Sequence, residues 1–154
     1  MNFEVELVKA SNRYFTENKI TALAFRFEKS TRFSFQPCDV LIDSPPRTDH
    51  YDAVECKSLT LNGRKPLYFS SHFSDSGKKH QIDRMKDFLD QTGRRGLLAV
   101  ELNNKPNREA YIIDFKILYS LWTSHAPSVP LDIIRAGQPL TWDGTWAKGS
   151  YTFN

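Results

Sequence analysis

Apolar residues recur at helical spacing near the start of the chain, with Phe3, Leu7 and Tyr14 along one line and Val8 and Phe15 along the next. Side chains three, four and seven positions apart share one face of an α-helix, so residues 2–17 are predicted to form one. Asn2 is its expected N-cap and Asn18 its stop. The pattern then changes. Residues 20–27 are rich in apolar and aromatic side chains and read as a strand, which Phe33-Ser34-Phe35 either continues or follows with a new one. Residues 38–43 give a second strand signal. Pro45-Pro46-Arg47-Thr48-Asp49 is a turn cluster, and residues 51–57 read as the return strand of a hairpin.

Asn62-Gly63 marks another turn, and residues 71–79 read as a polar loop. Helical spacing returns over 79–91, where Ile82, Met85, Phe88 and Leu89 share a face, and Thr92-Gly93 closes that helix. Residues 96–102 are expected to be a short buried strand with 110–114 as its partner, and 115–122 a short helix. The remainder carries Pro127, Pro130, Gly137, Pro139, Gly144 and Gly149 and reads as turn-rich. This order of elements predicts helices packed on a mixed sheet, an α/β or α+β arrangement.

Length narrows the picture. At 154 residues one domain spanning 1–154 is expected, with little room for a second. A chain 40% hydrophobic and 25% charged has enough apolar surface to fold, so disorder over most of its length is excluded. No apolar run is long enough to cross a bilayer, and the opening Met1-Asn2-Phe3-Glu4-Val5-Glu6 lacks a basic leader, so no membrane partner is expected. Two cysteines make neither a disulfide scaffold nor a zinc site unaided, and a cytoplasmic setting, or a host cytoplasm for a viral protein, is the expectation.

Net charge is only +3, but its distribution is uneven. The stretch from Lys57 to Arg95 holds nine basic and four acidic residues, a surplus of +5, which leaves −2 for the rest. Such a stretch could form a phosphate-binding surface, but charge alone favours a solvated helix face with two basic loops.

The chemistry concentrates in Asp39 and, sixteen residues on, Glu55-Cys56-Lys57. Strand side chains alternate, so Glu55 and Lys57 point one way and Cys56 the other. If the Pro45-Pro46 turn folds the preceding strand back, Asp39 lies beside Glu55. Two adjacent carboxylates repel unless something positive joins them, and a divalent cation with oxygen ligands meets that need. Lys57 would face the attacking water or the phosphate. Helical spacing puts Glu4 on a stripe with Val8, Ser11 and Phe15, bordering the apolar face, and Glu6 with Lys9, Arg13 and Glu17 on the solvent side. Gln81 shares a stripe with Met85 and Phe88 and is expected to point inward. Cys38 and Cys56 are expected on the face opposite the acids, as buried thiols. His80 reads as a helix-start residue, Trp122 as a core or dimer-interface residue, and Trp142 and Trp146 stay open between packing and base stacking.

These residues carry a resemblance. Asp39 with Glu55-x-Lys57 resembles the PD-(D/E)xK nuclease signature, whose strand carboxylates bind Mg²⁺ or Mn²⁺. The chain further resembles Holliday junction resolvases of the RecU type and, more distantly, the compact archaeal resolvases. Asn2-Phe3-Glu4-x-x-Leu7 and Asn12-Arg13-Tyr14-Phe15 are similar to the family's first helix. His80-Gln81-Ile82-x-x-Met85-Lys86, followed by Gly96, is similar to its His-Gln-Ile helix and the strand beyond. Tyr111-Ile112-Ile113, Leu118-x-x-Leu121-Trp122 and Ile134-x-x-Gly137-x-x-Leu140 keep the order, over roughly residues 2–140. The stalk of RecU-type proteins is here reduced to Glu28 through Cys38 or missing, and Pro37 stands where those proteins have a hydroxyl residue. The departure bears on junction recognition more than on the cutting chemistry.

The resemblance implies a restriction-endonuclease-like mixed β-sheet flanked by helices. It implies a metal-dependent endonuclease that resolves four-way DNA junctions as a homodimer, with Mg²⁺ as cofactor and Mn²⁺ as substitute. Glu4, Asp39 and Glu55 would bind metal with the Cys56 backbone carbonyl, and Lys57 and Gln81 would position and activate water. Arg64, Lys65, Lys78, Lys79, Arg84, Arg94 and Arg95 are candidate DNA contacts. The alternatives are a nuclease of the same fold acting in repair or restriction on another DNA, and a DNA-binding module that has lost catalysis.

Overall fold

The structure, a computed structural model, describes residues 2–28, 36–45, 50–61, 66–75 and 79–153. Helix α1 (Phe3–Glu17) starts where expected: the Asn2 side-chain oxygen accepts from the Glu4 N–H at 2.9 Å, and Asn18 closes it. Strands β1 (Leu23–Arg26), β2 (Val40–Asp43) and β3 (Asp52–Thr60) form an antiparallel meander. A two-residue strand β4 (Leu67–Tyr68) and one turn of helix α2 (Phe69–His72) follow, so ordered structure reaches into the predicted polar loop. Helix α3 (Gln81–Thr92) is capped by the His80 ring, which accepts from the Ile82 N–H, and ends on Gly93 in the left-handed conformation (φ 71°) that favours glycine. Then come β5 (Arg95–Asn104), β6 (Asn107–Asp114) and α4 (Phe115–Thr123), close to expectation. Phe33-Ser34-Phe35, the Pro46–Asp49 part of the turn and Asn62-Gly63 lie outside the described residues.

The turn-rich C-terminal part is more regular than its composition suggests. It forms β7 (Ser128–Val129), α5 (Leu131–Arg135), β8 (Gln138–Gly144) and β9 (Gly149–Phe153). In β8 only Leu140 is buried and Trp142 half-buried, so the alternation that marks a strand is nearly absent from the sequence.

Among the described residues seven strands make one sheet in the order β1-β2-β3-β5-β6-β8-β9, and β4 pairs with β7 in a second. Only β3 and β5 run parallel among the described residues, with Glu55 beside Leu98 and Lys57 beside Val100. A parallel pair needs a crossover, and β4, α2 and α3 supply it. The sheet divides the core. On one face α3 and α4 cover Leu98, Val100 and Leu102; on the other α1 covers Val54, Ala99 and Leu140. Each fully buried aliphatic side chain contributes about 1.5–3 kcal/mol. Gly96 lets α3, α4 and β5 meet: a Cβ there would lie 2.4 Å from Leu89 and 2.7 Å from Phe115. Helix α1 contacts both β1 and β9, near opposite ends of the sheet order, so the sheet curls around it. That curl overturns one expectation. Glu6 is buried, because β9 closes over the side of α1 that reads as polar; Arg13 on that side donates to the Ser150 hydroxyl and the Tyr151 carbonyl.

Candidate active site

The chain bends just before β2, and there Asp39 leaves the ladder. Its N–H still donates to the Val54 carbonyl, while its side-chain Oδ2 accepts from the Cys56 N–H at 2.8 Å. The hairpin thus places Asp39 beside the Glu55-Cys56-Lys57 segment, as the turn and the alternation predict. An extended residue presents its N–H and C=O to the same strand edge, so the Cys56 carbonyl faces the Asp39 side too.

Glu55 is buried, its side chain only 4% exposed. Its Oε1 accepts from Lys57 Nζ at 2.9 Å and from Gln81 Nε2 at 2.6 Å, while its Oε2 is buried without a partner among the described residues. Gln81 therefore points inward as expected. It also fixes the loop before α3: its side-chain oxygen accepts from the Ser74 N–H, and its own N–H donates to the Ser74 carbonyl. The Lys57 ammonium lies 4.7 Å from the centre of the Phe73 ring, between that ring and Glu55.

Burial shifts both carboxyls. It pushes Glu55 up to about 7, against the pull of Lys57, and the Asp39 charge adds to the rise. It also raises Asp39, with Glu4 adding to the rise, while the Cys56 N–H and the Lys57 charge oppose it. Two neighbouring carboxyls held above their normal range, with one oxygen orphaned, need a proton or a cation to complete them.

Three expectations need correction. Glu4 does not close a triad with the other two acids. Its Oε2 pairs with Arg26 at 3.0 Å, and among the described residues no three His, Cys, Asp or Glu side chains gather as a preformed metal cluster. Glu4 sits in the first turn of α1 and Arg26 at the end of β1, two elements in direct contact, which is why the pair forms. Cys38 is buried on the face that carries Glu55, packed with Leu41 and Leu98, because the bend at Asp39 breaks the alternation; Cys56 does turn to the α1 face. Arg94 is not a surface cation. Its side chain is 10% exposed, pairs with Asp43 at 2.8 Å, donates to the Ile42 and Asp52 carbonyls and lies on the Tyr51 ring.

The other basic candidates divide. Arg95 makes a two-pronged pair with Asp52 at 2.9 and 3.0 Å, at the start of β3 and β5, away from the Lys57 end. Lys79 is exposed and pairs with Asp87, and Arg84 donates to the Lys79 carbonyl and the Ser74 hydroxyl, so both flank the Gln81 end of α3. Arg64, Lys65 and Lys78 lie outside the described residues. His80 caps α3 and stacks 4.1 Å from Trp122, whose ring N–H donates to Asp83, so Trp122 packs within the chain.

Sequence reasoning passed over Gln36, which donates to Asp39 Oδ1 at 3.3 Å and to the Cys38 carbonyl, and Phe73, the platform for Lys57. Neither sits in a recognisable spacing. A cleft of about 420 Å³ opens on the opposite face, between α1 and the sheet, lined by Tyr14, His50, Leu97 and Ile112. Val54 lines it too, so it lies across the sheet from Glu55 and takes in neither Glu55 nor Lys57.

No family model matches the chain, and no curated protein does. A solved structure does match: Hjc, a Holliday junction resolvase from the archaeal hyperthermophile Archaeoglobus fulgidus. The match has a TM-score of 0.51 at 20% identity and covers 84% of this chain and 90% of that one. The chain shares the fold of that structure. At this identity the likeness establishes architecture: a mixed sheet flanked by helices over most of both chains, as the resemblance in sequence implies.

Proposed function

We propose that this protein is a metal-dependent, structure-selective endonuclease that resolves four-way DNA junctions. The observation that carries the reading is the buried Glu55 carboxylate, with one oxygen held by Lys57 and Gln81 and the other unpartnered, beside an Asp39 that the β2–β3 hairpin delivers to the same spot. The similarity in fold to an archaeal Holliday junction resolvase supports the choice of substrate.

The donor set fits a hard divalent cation. Mg²⁺ prefers one or two carboxylates together with waters and phosphate oxygens. Asp39, Glu55 and the Cys56 carbonyl would hold it, with Mn²⁺ as a substitute. Glu4, tied to Arg26, would act from the rim. When bound, the ion supplies Lewis acidity toward the phosphodiester and the attacking water.

The chain's own residues do the rest. Lys57, fixed between Phe73 and Glu55, presents an ammonium to the charge that develops on the phosphate. Gln81 orients Glu55 now and the attacking water during the reaction. Lys79 and Arg84 flank this end of α3 and would take backbone phosphates, reading shape rather than sequence. Two cuts on opposed strands call for a two-fold homodimer.

The test compares a four-way junction, a flap and a linear duplex at equal concentration with Mg²⁺. Preferential cutting of the junction is expected. Equal cutting of linear duplex would instead indicate a repair or restriction nuclease of this fold, and binding with no cutting of any DNA would indicate an inactive module.

A further inference from the structure

Two hairpin tips meet at the end of the sheet beyond Lys57: the β5–β6 turn with Lys105, and the β8–β9 turn with Trp146 and Lys148. The second turn is well tied. The Thr145 N–H donates to the Lys148 carbonyl, the Lys148 N–H donates back, and the Trp142 ring N–H caps the Thr145 carbonyl at 3.0 Å. Arg108 joins the two hairpins from beneath. Its guanidinium lies 3.8 Å from the Trp142 ring centre and 5.5 Å from that of Trp146, and its Nη2 donates to the buried Glu101 at 2.6 Å. The Lys105 ammonium rests over the Trp146 ring at 5.3 Å. Lys105 and Lys148 are both exposed, and among the described residues neither has an acidic partner. Asp143 alternates onto the other side of β8 from Trp142.

We infer that this double tip is a second DNA contact, in which Lys105 and Lys148 take backbone phosphates of a duplex arm leading away from the cut. The inference rests on the nuclease reading for its ligand and on separate residues for its geometry. A pair of exposed cations without an acidic partner among the described residues, on a braced platform, is complementary to a polyanion, and the Trp146 ring places Lys105 in advance, so less side-chain freedom is lost on binding. The spacing fits as well. Glu55 lies beside Leu98, and β5 continues six residues to Asn104, about 20 Å at strand rise. That span is about six base pairs of B-form duplex. None of these residues falls in the basic stretch from Lys57 to Arg95.

The test is binding of a four-way junction with twelve-base-pair arms by Asp39→Asn protein, with and without Lys105→Gln and Lys148→Gln, across a salt series. The double substitution should weaken binding about tenfold at 0.15 M salt and reduce the log–log salt slope by roughly two, one phosphate contact per lysine. Both lysines are exposed, so the melting temperature should not move. Equal affinity and equal slope would overturn this assignment alone. Failure of both proteins to bind any DNA would overturn it together with the nuclease reading. Loss of binding to a single-stranded oligonucleotide but not to the junction would also overturn it.

Discussion

Two glutamates sit on neighbouring central strands, both almost wholly buried, and have opposite surroundings. Glu101 on β5 faces α1. Its Oε1 accepts from the Ser58 hydroxyl and the Asn103 amide, and its Oε2 from Arg108 and the Tyr151 hydroxyl. Burial alone would raise its carboxyl, but hydrogen bonds from Tyr151, Arg108, Ser58 and Asn103 outweigh it and hold the group below the usual range. Glu55 on β3 faces α3, has donors on one oxygen only, and is raised to about 7. The saturated carboxylate is a strut that joins β3, β5, β6 and β9. The unsaturated one is the group that, on the proposed function, would be completed by a cation, and a buried, incompletely satisfied carboxylate of raised pKa is what a ligand site is expected to show.

The comparison breaks first on activity. Asp39→Asn or Glu55→Gln should reduce junction cleavage on the order of 10³-fold with junction binding retained, measured in single-turnover assays beside anisotropy. A comparable loss in Glu101→Gln, with an unchanged melting curve, would erase the distinction between strut and seat.

Stability should show the reverse pattern. Glu101→Ala leaves Arg108 and Tyr151 buried without their acceptor and should cost about 3–5 kcal/mol in urea denaturation. A cost below about 1 kcal/mol would mean that the network carries little.

How much of this was legible in the chain depends on sequence distance. Asp39 and Glu55 are joined by a proline-marked hairpin, so alternation and one turn suffice to bring them together. Glu6 reads as solvent-facing because the strand that buries it, β9, lies more than 130 residues away. Arg26 and Glu4 are 22 residues apart on different elements, and no spacing rule joins them. Strands β8 and β9 escaped because Pro139, Gly144 and Gly149 punctuate them and little of β8 is buried. The strut at Glu101 was invisible for the same reason: its donors come from four separate strands.

A third difference appears with pH. Because the folded-state carboxyl of Glu55 is raised from 4.5 to about 7, the folded protein holds more protons than the unfolded chain in that interval. Metal-free stability contributed by this group is therefore full below about pH 4.5 and falls as pH rises through about 7, by an amount on the order of 2–3 kcal/mol. Denaturation midpoints at pH 5 and pH 8 should show the fall, and Glu55→Gln should flatten it. A midpoint that rises across that interval in the parent, with Glu55→Gln unchanged, would contradict the assignment. The smallest expected effect is at Gln81. Gln81→Ala should slow cleavage about tenfold, with a steeper dependence on Mg²⁺ concentration because Glu55 loses a neighbour that orients it.

The most direct test is the melting temperature of the metal-free protein at pH 8 with and without 10 mM Mg²⁺, for the parent, Glu55→Gln and Glu101→Gln. The account predicts that Mg²⁺ raises the melting temperature of the parent and of Glu101→Gln by about 5 °C and leaves Glu55→Gln unmoved. No rise in the parent, or an equal rise in Glu55→Gln, would contradict it.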